Sequence, residues 1–199
     1  MYKLKKNITT IFLISVIGLL FFVSCQTRSK QTPKPKGYFR IDLPENKYTQ
    51  FDRDCSYKFE YSEISEIIRD PENTGNKCWL NIYYPDLDGK IHISYKQVNG
   101  NLDTFIEDSR NLAYKHTVKA ESIQEQLYES ENRNVYGLLY ELKGNVASPV
   151  QFYMTDSTNH FIRGSLYFNT EPNKDSLAPV IDYVKKDIRH LIETLEWKN

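Results

Sequence analysis

The chain has 199 residues, 40% hydrophobic and 26% charged, enough for one globular domain behind a removable leader. Basic and acidic residues balance at 26 each, so composition gives no reason to propose nucleic acid as a partner. Fifteen tyrosines and ten phenylalanines against two methionines fit a β-rich domain with wet, amphipathic faces.

Lys3, Lys5 and Lys6 form a basic start. Ile8 to Val23 is an apolar run broken only by Thr9, Thr10, Ser15 and Gly18. That pattern fits a secretory leader better than a free-standing anchor. It ends in Phe22-Val23-Ser24-Cys25, which looks like a bacterial lipobox, with Phe22 where leucine is usual. Cys25 then carries lipid and becomes the mature N-terminus; each buried CH₂ of its acyl chains contributes about 0.8 kcal/mol to membrane anchoring. The alternative is an uncleaved membrane anchor with an incidental cysteine. Losing the leader removes three lysines and no acids, leaving 23 basic and 26 acidic residues, a net charge of −3. Residues 26–36 are polar, basic and proline-bearing, a tether reaching at most about 36–40 Å. The expected organisation is a lipoprotein signal peptide over 1–24, a lipid anchor and tether over 25–36, and a single α+β domain over 37–199.

Along that domain, Tyr38–Pro44 reads as an edge strand or extended segment. A strand follows Cys55, with Tyr57, Phe59 and Tyr61 on one face. Ile64–Arg69 reads as a short turn of helix. Cys78 opens the next strand through Tyr84, and Lys90–Val98 returns with Ile91, Ile93 and Tyr95 together. Asn101 caps a helix over Leu102–Lys119, whose apolar stripe includes Leu102, Phe105, Ile106, Leu112 and Ala113. A weak strand covers Ile123–Glu129, and a strong one covers Val135–Lys143. A last helix spans about Ser176–Trp197, with a wide stripe from Leu177 to Leu195.

The strongest local signal is a hairpin within Ser148–Asn169, two alternating runs around Asp156-Ser157-Thr158-Asn159. An odd loop sets Phe152 opposite Ile162 and puts Phe152, Met154, Ile162, Gly164, Leu166 and Phe168 on one side. The other side carries Gln151, Tyr153, Phe161, Arg163 and Tyr167. Strands, helix, strands and helix without a forced parallel crossover argue an α+β fold with a mainly antiparallel sheet flanked by helices.

Cys55 and Cys78 each head a strand. Outside the cytoplasm such a pair usually bonds, contributing roughly 3 kcal/mol; two buried free thiols are the alternative. No metal spacing, catalytic motif or cofactor loop is present. Asp156, Ser157 and His160 crowd one turn, but these types are ordinary turn formers. His116 lies on an apolar stripe and reads as a core-edge histidine.

Several stretches together resemble a known family: Cys25, P-K-P-K-G-Y-F-R-I at 33–41, Cys55 leading into F-E-Y, and C-W-L-N-I-Y-Y-P at 78–85. The likeness continues through Y-K-H-T at 114–117, the whole of 144–168 and L-I-E-T-L-E-W at 191–197. They are similar to the GldD gliding-motility lipoproteins of Bacteroidota. The resemblance implies an envelope lipoprotein required for gliding motility and type IX secretion, without catalytic residues. The element order is also similar to the Mog1/PsbP-like fold, by analogy alone.

Two functions compete. One is a non-enzymatic accessory or assembly factor, held to the membrane by Cys25, its domain in the periplasm, docking gliding-motility or type IX secretion proteins. The other is an envelope enzyme or small-ligand binder with a pocket at a sheet end. The candidate partner surface is Tyr153, Phe161, Arg163 and Tyr167, because aromatics with arginine anchor interfaces. The last helix, with its wider stripe, is expected on the Phe152/Ile162/Leu166 face, and the Leu102 helix over part of the opposite one.

Overall fold

Alternating apolar and polar side chains carry most of the chain into antiparallel strands. A computed structural model describes residues 42–69 and 77–198. In chain order the strands are β1 (Tyr48–Phe51), β2 (Tyr57–Ser62), β3 (Glu66–Arg69), β4 (Leu80–Tyr84) and β5 (Gly89–Gln97), then helix α1 (Leu102–Tyr114). β6 (Ala120–Ser130), β7 (Val135–Gly144), β8 (Val150–Thr155) and β9 (His160–Phe168) follow, then helix α2 (Lys174–Thr194) and β10 (Glu196–Trp197). Seven strands form one sheet in the order β3-β4-β5-β9-β8-β7-β6, and β1-β2-β10 form a second. Every pairing is antiparallel, so the α+β architecture expected from the element order is the one observed.

The main core lies between the inner face of the large sheet, α2 and the small sheet. Phe152, Met154, Ile162 and Leu166 meet Val180, Val184, Ile188 and Leu191 there, together with Phe51, Tyr57 and Phe59. The last helix thus covers the face assigned to it by its stripe. Asn173 opens α2, its side chain accepting from the Ser176 N–H at 3.3 Å, and Arg133 Nη1 closes it by donating to the Leu195 carbonyl at 3.2 Å. Such end groups satisfy N–H and C=O groups that the helix leaves unpaired.

The hairpin keeps its predicted faces but not its predicted pairs. Phe152 lies opposite Gly164 and Met154 opposite Ile162, a slip of two residues that preserves the face of every side chain. The last pair is Thr155 with Phe161, and the connection, 156–159, closes around Asp156. Its Oδ1 accepts from the backbone N–H groups of Asn159 and His160 at 2.8 Å each and of Thr158 at 3.0 Å. Ser157 takes a left-handed φ of 69°. Gly164 then receives the Phe152 ring, which a Cβ there would overlap.

Several local expectations give way to long-range pairing. Ile64–Arg69, read as helical, contains β3, because edge pairing to β4 and packing of Ile67 outweigh local propensity. The weak strand lengthens into β6, eleven residues along β7. α1 ends at Tyr114 and tightens into a 3-10 turn over Lys115–Val118, and Asn101 Oδ1 accepts from Asn99 N rather than from the helix. α2 stops at Thr194, because Glu196 and Trp197 leave it to pair with Lys58 and Tyr57. The expected Tyr38–Pro44 strand lies outside the described residues up to 41; from 42 to 47 the chain is irregular, and the strand begins at Tyr48.

One acid is buried in the α2 packing. Asp187 is 2% exposed, with Asn46 Nδ2 donating to Oδ1 at 2.6 Å and the Tyr84 hydroxyl to Oδ2 at 3.0 Å. Burial pushes its carboxyl above the usual range; the hydrogen bonds from Asn46 and Tyr84 only partly offset this. A raised acid pKa means that the folded state binds the proton more readily than the unfolded one. Stability from this group is therefore greatest below the ordinary carboxylate value and declines as pH rises to the raised one. Asp187→Asn should remove that decline, so urea unfolding of variant and wild type diverges in the variant's favour with rising pH through this window. Parallel pH profiles would contradict the assignment.

Candidate functional site

β9 serves two sides of the sheet at once. Ile162 and Leu166 point into the main core, while Phe161, Arg163, Ser165 and Tyr167 point to the opposite, outer face. Pairing extends those residues into rows. Lys96 neighbours Phe161, Ser94 neighbours Arg163 and Tyr153 lies beyond it, and Asn81, His92, Ser165 and Gln151 form the next row.

α1 covers one end of this face. Phe105 meets Phe161 at 5.4 Å, and Phe161 stacks on Tyr153 at 5.6 Å with planes 13° apart. Ala113, Val98, Tyr140, Leu142 and Val146 complete this second core. Tyr153 is 7% and Phe161 2% exposed. The expected partner surface is corrected accordingly: Tyr153 and Phe161 are occupied by the protein's own helix, whose apolar stripe reaches them. Arg163 and Tyr167 remain half-buried, with Tyr167 edge-on to His92 at 5.5 Å.

Past Phe105 the helix stands off β4 and β5, leaving a cleft of about 840 Å³. Its floor is Asn81, His92, Ser94 and Arg163; Trp79 and Phe105 flank it, and Leu112, Tyr114 and Lys115 border it from the helix side. The Trp79 indole is fixed by donating to the Tyr95 carbonyl at 2.6 Å. Lys96 Nζ lies 4.5 Å from the centre of the Phe105 ring, a cation–π arrangement.

Arg163 is the distinctive group. Its Nη2 donates to Gln151 Oε1 at 2.6 Å, and no carboxylate among the described residues forms an ion pair with it. Burial pushes its guanidinium below the ordinary value, though arginine stays charged in proteins. Gln151 is 2% exposed, and its Nε2 has no acceptor among the described residues. Burial pushes the His116 imidazole down, and the charge of Arg163 pushes it further.

The remaining candidates lie apart from the cleft or outside the described residues. Cys25 is among the latter. Cys55 and Cys78 form a disulfide with Cα atoms 5.5 Å apart, and the Tyr57 hydroxyl donates to the Cys78 carbonyl at 2.6 Å. Trp79 follows directly, so the bridge helps to fix one wall of the cleft. For Asp156, burial pushes the pKa up, but the N–H groups of His160, Asn159 and Thr158 outweigh this and hold the carboxyl below its usual range. His160 Nδ1 lies 2.8 Å from the Tyr95 hydroxyl, and its ring stacks on Trp197 at 5.2 Å. Among the described residues, no group of three or more His, Cys, Asp or Glu converges as a metal site. Trp79, Lys96 and His92 were not singled out from sequence, although alternation along Lys90–Val98 already placed His92 and Lys96 opposite Ile91, Ile93 and Tyr95.

The profile described as gliding motility lipoprotein GldD matches residues 28–197. The chain belongs to the GldD family. It is therefore a gliding-motility lipoprotein, and this membership implies a lipid-anchored place in the cell envelope and envelope partners. No helix among the described residues is long and apolar enough to cross a membrane. No curated protein matches the chain. Among solved structures it is similar to cyanobacterial PsbP from Synechocystis sp. PCC 6803, at 9% identity and a TM-score of 0.47, over 82% of this chain and 99% of that one.

The two ends of the outer face should respond differently to truncation. Phe161→Ala removes a buried ring and should lower unfolding free energy by about 3–5 kcal/mol, whereas half-buried Tyr167→Ala should cost about 1 kcal/mol. Denaturant midpoints measure both; equal losses would contradict the one-sided cover by α1.

Proposed function

We propose that this lipoprotein serves gliding motility and type IX secretion as a non-enzymatic accessory or assembly factor. Its domain sits in the periplasm, held to a membrane by acyl chains on Cys25 at the end of a cleaved leader of 24 residues. The observation that carries this reading is the family match across residues 28–197. The cleft supports a docking role. Leu112 and Tyr114 on its helix side are 38% and 37% exposed, beside Trp79 and Arg163, and apolar and aromatic groups around arginine are characteristic of protein interfaces. The polar groups most suggestive of catalysis, Asp156 and His160, are engaged in shaping the hairpin turn and in contacts with Tyr95 and Trp197.

The lipid anchor is tested with the full chain carrying Cys25→Ala in cells lacking the wild-type copy. The domain should still fold, the protein should leave the membrane fraction or keep its leader, and spreading and secretion should fall together. Normal fractionation with unchanged acyl labelling would refute the anchor. Undiminished motility and secretion despite release would refute the anchored accessory role.

A further inference from the structure

We propose that the cleft between α1 and the sheet is the docking site for an acidic peptide segment of an envelope protein, with a partner carboxylate paired to Arg163; this rests on the accessory role above. The charge of the lining is one-sided. Lys96, Lys115 and Arg163 face it, with Asp108 as the one carboxylate among the described residues that line it, in a chain whose formal charge is zero. Several buried or half-buried cations elsewhere on the domain do have acidic partners: Lys185 and Arg189 share Glu141 at 3.2 and 2.6 Å, and Lys58 meets Glu196 at 2.8 Å. Arg163 has a neutral amide instead. Gln151 engages Nη2 and leaves other guanidinium N–H groups for a ligand, in the fork geometry that suits a carboxylate.

The shape and walls choose the occupant. Anionic lipid is gathered by clustered lysines and arginines at a membrane surface, whereas Arg163 lies half-buried at the floor of a concavity. Trp79, Phe105, Leu112 and Tyr114 offer apolar surface to the residues flanking an acidic side chain. Asp108 in the lining weighs against a doubly charged phosphate and is tolerable beside a single carboxylate.

The test uses full-length protein in living cells, with the photo-crosslinker p-benzoylphenylalanine at Asn111, an exposed residue of the cleft lining. The adduct should map to a protein segment containing Asp or Glu and fall about tenfold in Arg163→Gln, the scale of one lost charge-assisted hydrogen bond. It should return in part in Arg163→Lys, and Arg163→Glu should be rescued by reversing the mapped partner acid to Lys. Membrane fractionation must stay normal, which separates failure of this site from failure of the anchored role. Thermal unfolding checks the fold, and Lys115→Glu, at the exposed rim, supplies a second variant that should also weaken the adduct. An adduct unchanged in Arg163→Gln and Lys115→Glu, an adduct to lipid, to another part of the same chain or to a segment without acids, or no adduct at all would each overturn the proposal.

Discussion

The close approach of Phe152 to Gly164 sets how the large sheet is used. At the centre of the sheet, one strand offers a ring and its neighbour offers no side chain to oppose it. The same device recurs one strand over, where Gly137 lies opposite Met154 and a Cβ would run into the Tyr153 carbonyl. Two such sites pin β8 between its neighbours. Because strand side chains alternate, pinning one pair fixes the side on which every other residue of β8 and β9 lies. The main core under α2 and the half-covered outer face are thus two consequences of one register.

The two helices then divide the faces by the width of their stripes. α2 buries Val180, Val184, Ile188, Leu191 and Ile192 and closes its side. α1 buries only Ser109 and Ala113 and seals one end of the other through Phe105 and Phe161. What α1 leaves open has a polar and cationic floor of Asn81, His92, Ser94 and Arg163 beneath aromatic and apolar walls, so a cleft persists there instead of a collapsed apolar seam. The Cys55–Cys78 bridge supports that cleft from outside by holding the start of β4 beside the segment that leads into β2.

Much of this was legible in the sequence where the signal was local. The hairpin faces followed from alternation, and α2 followed from the spacing of Val180, Val184, Ile188 and Leu191. Position at the heads of two strands already suggested pairing Cys55 with Cys78. The failures are non-local. β3 and β10 owe their strand form to partners, and the register of β8 with β9 depends on the room that Gly164 leaves for the Phe152 ring, with Asp156 closing the turn that results. The cleft was out of reach for the same reason. Ser94 and Arg163 are 69 residues apart in the chain, so the β4–β5 and β5–β9 pairings together bring Trp79, Lys96 and Arg163 to one site. Tyr153 and Phe161 looked like interface anchors because residue type cannot show whether a protein's own helix arrives first.

The central claim, that the Phe152–Gly164 contact sets the register, is tested most directly by adding a single methyl group. Gly164→Ala should destabilise the protein by about 1–3 kcal/mol, the usual cost of overpacking, measured as a lower urea midpoint with an unchanged slope. Adding Phe152→Leu should recover part of that loss, because the shorter side chain vacates the space that the new methyl needs. An unchanged midpoint in Gly164→Ala, or losses that simply add in the double variant, would contradict the account.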